Sequence, residues 1–311
     1  MLLSSCVIWR HRTLEGFSAE CPGGDERLQS TIVERLDDGL AWLESLGAPV
    51  VERGTDNPRT EGMRFDPGGL TDALLRAAGE VRLETALPRE VDGPLLLATG
   101  GFGVRLARER GLLVRSNPWS EGDGLDYAVA RGAGTAGRLD EFYGRAMPAP
   151  PARIEERDFV PLAQLYGRHA RVVNERGEPF FDGPPSWSEN DLVQAIARQP
   201  GGRAWFELEP ELLDDSDIGR RVDAARNAGG TVVERGGRIA IHVSAAVTHT
   251  IGGLRIDEHA RVVESSGAPI PELYAAGADA GGISTGGYAS GLAAALVFGR
   301  IAAETAAQAS R

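Results

Sequence analysis

Lysine is absent from this sequence: all 33 basic residues among the 311 are arginine. Schiff-base chemistry and a Walker-type phosphate site both need an amine, so pyridoxal-dependent and P-loop functions are excluded. Cysteine is almost as scarce. Cys6 and Cys21 form neither a CxxC pair nor a disulfide framework, which points to a reducing, cytoplasmic setting with two inert thiols. No uninterrupted apolar run reaches the ~18 residues needed to span a bilayer. The opening MLLSSC lacks the basic flank of an export signal. Positive charge is in deficit, with a net charge of −12 and a pI near 5.0, which works against nucleic acid and anionic membranes as partners. His11, His169, His242 and His259 show no HExxH or HxxxH spacing, so no metal site is expected.

With 42% hydrophobic and 25% charged residues, the chain has apolar side chains enough for one large domain or two moderate ones. Its organising stretch is Pro271–Arg300, PELYAAGADAGGISTGGYASGLAAALVFGR. The apolar tetrad Leu273–Ala276 reads as a strand. Glycines recur at 281, 282, 286, 287 and 291, and the small-apolar run that follows reads as a buried helix over 289–302. Glycine lets backbone approach a ligand without an intervening Cβ, and a helix start offers unpaired N–H groups and a positive dipole end. A glycine-rich loop feeding a tightly packed helix would carry the same pattern.

Upstream, Val7–Arg10 reads as a short strand. Asp25 caps a helix with Leu28, Ile32, Leu36, Leu40 and Leu43 on one face, ended by Gly47 and Pro49. Asp66–Ala78 repeats that plan, with Pro67 in the first turn and Leu70, Leu74 and Leu75 facing inward, and Val81–Leu83 starts a strand. Leu95–Ala98 has the continuous apolar character of a buried parallel strand, turned by Thr99-Gly100-Gly101. Beyond Gly137, Pro148, Pro150 and Pro151 and a rise in aromatics mark an inserted domain. It holds a helix at Asn190–Ala197, a strand at Ala204–Leu208 and a helix at Arg220–Ala228, with the chain returning near Ile239–Val247.

LYAAG, two GG pairs and ALVFGR, in this order, resemble the C-terminal flavin-binding signature of the fumarate reductase/succinate dehydrogenase flavoprotein-like family, which includes the ketosteroid 1-dehydrogenases. Leu95–Phe102, LLLATGGF, and His249–Asp257, HTIGGLRID, match it in the right order. Asn117–Gly124, NPWSEGDG, resembles its TGDG segment, with Glu121 where threonine is usual. The resemblance runs from about Ser4 onward, along most of the chain. It implies an α/β fold: an incomplete FAD-binding, Rossmann-like parallel-sheet domain from residues 1–138 and 243–311, with an inserted α+β capping domain at 139–242 serving as a lid over the flavin. The family's N-terminal strand–GxGxxG–helix unit has no match here. Leu95–Ala98 and Leu273–Ala276 are therefore expected to flank a gap, and a second polypeptide that completes the domain is a candidate partner. Only Glu84–Pro94 stands where the family carries a longer β-meander.

FAD contacts are implied at Ala98, Thr99, Gly100, Gly101, Asp123, Gly252, Gly253, Gly277, Asp279, Gly281, Gly282, Gly286, Gly287, Ser290, Gly291 and Leu292. His249 stands where the family's histidine meets substrate, although a strand-end histidine also serves as a packing group. Tyr288, directly after the second GG, and Tyr143 and Tyr166, in the similar segments FYGR and LYGR, are the remaining proton-handling candidates. The last two sit in a context equally suited to interface packing. Two departures from the family bear on the reaction. Gly177–Phe180 reads GEPF, with Pro179 in place of the arginine acid of fumarate reductases, and Gly282–Gly287 lacks their second arginine. Dicarboxylate reduction is not expected. The resemblance implies an FAD-dependent oxidoreductase acting on a carbon–carbon bond next to a carbonyl of a small-molecule substrate. The alternative is a truncated, non-catalytic chain that binds FAD weakly or not at all, or one half of a two-chain flavoprotein.

Overall fold

Residues 2–55, 57–87 and 90–309 are described by the computed structural model. Strand β1 (Val7–His11) leads through α1 (Leu14–Glu20) into α2 (Glu26–Ser45), whose first turn is capped by the Asp25 carboxylate accepting the Arg27 N–H. Leu28, Ile32, Leu36, Leu40 and Leu43 are buried along one face of α2, as their three-and-four spacing demands. β2 (Val50–Arg53) and β3 (Thr60–Phe65) pair antiparallel with β1 in the order β1-β3-β2. In α3 (Pro67–Ala77) Leu70 and Ala73 are buried. Leu75 is 51% exposed, contrary to expectation, because five residues from Leu70 is the opposite face of the helix.

The strand expected at Val81–Leu83 is absent. Both side chains are exposed, and no strand among the described residues pairs with them. β4 (Leu95–Leu97) is shorter than expected and buried on one face only, with Leu96 turned outward. In chain order there follow α4 (Gly103–Arg110), β5 (Leu113–Val114), α5 (Asp123–Val129), β6 (Thr135–Ala136), β7 (Phe142–Pro148), β8 (Arg171–Val173), α6 (Asn190–Ala197), β9 (Arg203–Leu208), α7 (Ser216–Asn227), β10 (Val232–Arg235), β11 (Arg238–Thr250), β12 (Gly253–Leu254), β13 (Arg261–Val263), β14 (Pro269–Ala275) and α8 (Gly291–Ala309). Among the described residues no helix is long and apolar enough to cross a membrane.

The chain forms two compact units. The first comprises Met1–Phe102, Ser120–Glu141 and Thr250–Arg311. There β4 and β14 pair in parallel, Leu95 opposite Leu273 and Leu97 opposite Ala275. The expected gap between these strands is therefore not there, and among the described residues the unpaired edge lies on the other side of β4, in the order β13-β14-β4. α8 buries Ala293, Val297, Phe298 and Ile301, and α2 comes close to it because Gly39 leaves room for Leu296, whose branch lies 3.0 Å from where a Cβ would stand. The second unit comprises Gly103–Trp119 and Phe142–His249. Its sheet runs β10-β11-β9-β8, with β5 and β7 also pairing to the long β11.

Candidate functional site

The turn after β4 is a nest of backbone donors, and in the first unit a carboxylate of the chain fills it. Asp279, 1% exposed, accepts from the Thr99, Gly100 and Gly101 N–H groups and from Thr99 Oγ1. Burial raises its carboxyl above the usual range, and these hydrogen bonds oppose the rise. Gly100 and Gly101 lie at φ +97° and +71°, where a side chain would be strained. The Gly124 N–H donates to Thr99 Oγ1 at 3.2 Å, bringing the start of α5 onto the same turn. Ala98 and Asp123 are exposed beside it.

The glycine-rich turn before α8 is braced by groups distant in sequence. The Asp25 N–H donates to the Gly282 carbonyl at 2.7 Å, and the Gly23 N–H to that of Thr285 at 3.0 Å. Gln29, fully buried, donates from Nε2 to the Ile283 and Cys21 carbonyls, both at 3.0 Å. Glu141 Oε1 accepts the Gly286 N–H at 2.9 Å. Its other oxygen is buried without a partner, and burial raises this carboxyl too. The clearance left by several glycines is taken up by the chain's own backbone. An added Cβ would lie 1.8 Å from the Glu20 carbonyl at Gly287, 2.1 Å from the Gly253 N at Gly281, 2.6 Å from the Asp279 carbonyl at Gly253 and 2.5 Å from the Arg138 carbonyl at Gly252. Gly282 faces Ala136, Gly286 faces Pro22, and Gly277 supplies a positive φ of 64°.

At the start of α8, Ser290 is buried and its Oγ accepts from the Ala293 N–H at 3.3 Å and the Trp9 N–H at 3.5 Å. Among the described residues the N–H groups of Gly291 and Leu292 have no acceptor. Tyr288 is partly exposed, and its ring meets Trp9 edge-on with centroids 5.5 Å apart. Trp9, His11, Gln29 and Glu141 went unmarked at the sequence level. The one legible signal was Trp9 and His11 alternating on the same face of a strand.

In the second unit Tyr143 and His249 come together, ring centroids 5.3 Å apart, with the Arg145 guanidinium 4.7 Å from the Tyr143 ring centre. Arg145 Nη1 donates to the Ser188 carbonyl at 2.7 Å, and Asn190 Oδ1 accepts the Gly144 N–H at 3.1 Å, fixing this part of β7. Tyr166 is not part of that group. It is 1% exposed, packs on Phe206, and donates its hydroxyl to Gln164 Oε1 inside the core, where burial pushes the phenol far up. Pro179 stands beside a tight hairpin, bridging Val173.

A parallel β4–β14 pair with glycine turns at its carboxyl ends, backed by a helix whose first N–H groups are unspent, defines a dinucleotide-flavin binding fold. Residues 88–292 match the family described as FAD binding domain, and the chain belongs to it. It is 25% identical to the probable fumarate reductase Ifc3 of Shewanella frigidimarina (strain NCIMB 400), over 91% of this chain and 62% of that protein's length. In fold it is similar to the 3-ketosteroid delta1-dehydrogenase of Sterolibacterium denitrificans (TM-score 0.70, 13% identity, 99% of this chain and 92% of that one). It is also similar to the 3-ketosteroid-delta4-(5alpha)-dehydrogenase of Rhodococcus jostii RHA1 (TM-score 0.68, 19% identity, 98% of this chain and 88% of that one). The family's cofactor is FAD, and the residues present fit it at one end: the free N–H groups of Gly291 and Leu292, at the positive end of a 19-residue helix, suit the electron-rich edge of a flavin ring.

Proposed function

We propose that this chain is the larger part of an FAD-dependent oxidoreductase acting on a carbon–carbon bond next to a carbonyl. The observation that carries the reading is the position of Tyr288, partly exposed and three residues ahead in the chain of the unspent N–H groups that begin at Gly291. Bound FAD supplies a two-electron hydride acceptor or donor. The N–H pair would hold the flavin's pyrimidine edge, and Tyr288 would polarise the substrate carbonyl or carry a proton. Fumarate and 3-ketosteroids, named for the similar proteins, both place a carbonyl beside the reacting bond. Pro179 in place of an arginine acid argues for the ketone over the dicarboxylate, since proline has no proton to give. Tyr143 and His249 are proposed as a second substrate-facing pair. Tyr166 carries no proposed role, because its hydroxyl is spent in the core.

The test is an absorbance scan of purified protein for flavin bands, followed by turnover of the flavin-loaded protein with a 3-ketone and with fumarate. Tyr288→Phe is expected to lower turnover at least about tenfold, or about 1.4 kcal/mol. Unchanged kinetics return Tyr288 to packing, and brisk fumarate reduction overturns the use made of Pro179. A second reading is favoured by the unpaired edge of β4: a parallel strand carrying a GxGxxG turn, from another polypeptide, would complete the FAD domain there, and this chain alone would hold FAD weakly.

A further inference from the structure

His11 is 2% exposed, packed between Trp9, with ring centroids 5.4 Å apart, and Phe17, at 5.1 Å. Its ring donates one hydrogen bond, to the backbone carbonyl of Tyr288, while Nε2 is buried with no partner. The donor is therefore Nδ1, and the ring is held as the single neutral tautomer with its proton there. Burial keeps it neutral, pulling it below the usual histidine range, and the charge of Arg59 acts the same way. Phenylalanine would fill this aromatic pocket without desolvating a lone pair, so packing gives no reason for an imidazole. What histidine adds is the bond to Tyr288. Trp9, two residues away on the same face of β1, meets the Tyr288 ring edge-on, so one short strand holds both the backbone and the ring of that residue.

Resting on the reading of Tyr288 given above, we propose that His11 is a positioning residue for Tyr288: its Nδ1–H fixes the carbonyl of that turn, and with it the direction in which the phenol points. It touches neither substrate nor cofactor and acts through the turn alone.

The experiment uses the full chain with 3-fluorotyrosine incorporated, the Tyr288 resonance being assigned by its loss in Tyr288→Phe. His11→Phe fills the space and removes the donor, whereas His11→Asn keeps an amide donor near the place of Nδ1. The expected result is a displaced Tyr288 fluorine resonance in His11→Phe, restored in His11→Asn. In the flavin-loaded protein turnover should fall about tenfold in the first variant and recover to within about threefold in the second. His11→Phe should have no effect when added to Tyr288→Phe. Unmoved fluorine and kinetics in His11→Phe overturn the proposal. So does an imidazole nitrogen spectrum of the unsubstituted protein with the proton on Nε2, a measurement that stands even where His11→Phe fails to fold. If Tyr288→Phe by itself leaves turnover unchanged, the catalytic reading of Tyr288 falls, and the fluorine resonance still decides whether His11 sets the ring.

Discussion

Replacing Gln29 with methionine should destabilise the first unit more than any other single polar change in α2. The amide occupies a slot with no room to spare: a Cβ on Gly24 would lie 2.2 Å from Gln29 Nε2 and 2.3 Å from the Ile283 carbonyl. Methionine matches the length of the side chain but removes both donations: the Cys21 carbonyl keeps the Gly24 N–H at 3.0 Å, whereas the Ile283 carbonyl, in a residue 4% exposed, is left unpaired. A buried acceptor left unsatisfied costs about 1–3 kcal/mol and a lost bond to one that keeps a partner about 0.5–1.5 kcal/mol, so the variant costs about 2–4 kcal/mol. The third partner, Ser18 Oγ, is only partly buried and can turn to water, so Ser18→Ala serves as a control costing less than about 1 kcal/mol. Urea unfolding followed by circular dichroism gives the stability change from the shift in midpoint. Hydrogen exchange at the Gly23, Asp25 and Gly286 amides, the donors that bracket the same turn, should quicken together. A Gln29→Met protein within about 0.5 kcal/mol of the parent, with those amides unchanged, would falsify the claim that this amide holds the turn.

Asp279→Asn should cost about 2–4 kcal/mol in the same assay, because either orientation of the amide turns one acceptor into a donor facing the nest and forfeits two of its bonds. Glu141→Gln keeps an acceptor for the Gly286 N–H and removes a buried charge. The folded-state pKa of Glu141 is raised, so its contribution is fully present below the ordinary carboxylate range and is lost as pH rises through the raised value. The variant's melting temperature relative to the parent should climb as pH rises through and above the ordinary carboxylate range, and a flat difference would count against it. Gly287→Ala, which sets a methyl on the Glu20 carbonyl, should unfold the turn or abolish soluble expression, and a normal melting curve would mean that α1 yields more easily than its packing suggests. Fusing a strand–GxGxxG–helix unit ahead of Leu2 should raise flavin occupancy and melting temperature together, whereas stoichiometric FAD on the unmodified chain would refute the second reading of its function.

How much of this was legible in the sequence depended on the range of the interaction. α2 and α3 were visible because caps and apolar spacing are local, and Asp25 and Asp66 do what their positions foretell. The inward face of α3 was misjudged at Leu75, and the strand at Val81–Leu83 failed to form because two apolar residues do not specify a partner strand. The glycine spacing reads as a pattern of ligand approach, but spacing says nothing about what approaches. At Gly252, Gly253, Gly281 and Gly287 it is the chain itself, and the partners lie far off in sequence. The Gln29 bond to Ile283 spans 254 residues and the Asp279 nest 180, beyond the reach of any local pattern.

This outcome changes the argument about the cofactor. A glycine turn that stayed open for a ligand would have to be ordered when the ligand arrives, at a cost in conformational entropy. Here the turn is already held by Asp25, Gln29, Gly23 and Glu141 before any flavin is considered, so α8 presents its first N–H groups on a preformed support. Weak FAD binding by this chain would then have to arise where donors are spent or strands unpaired, at the Asp279-filled nest and the edge of β4, and strengthening the turn further would gain nothing.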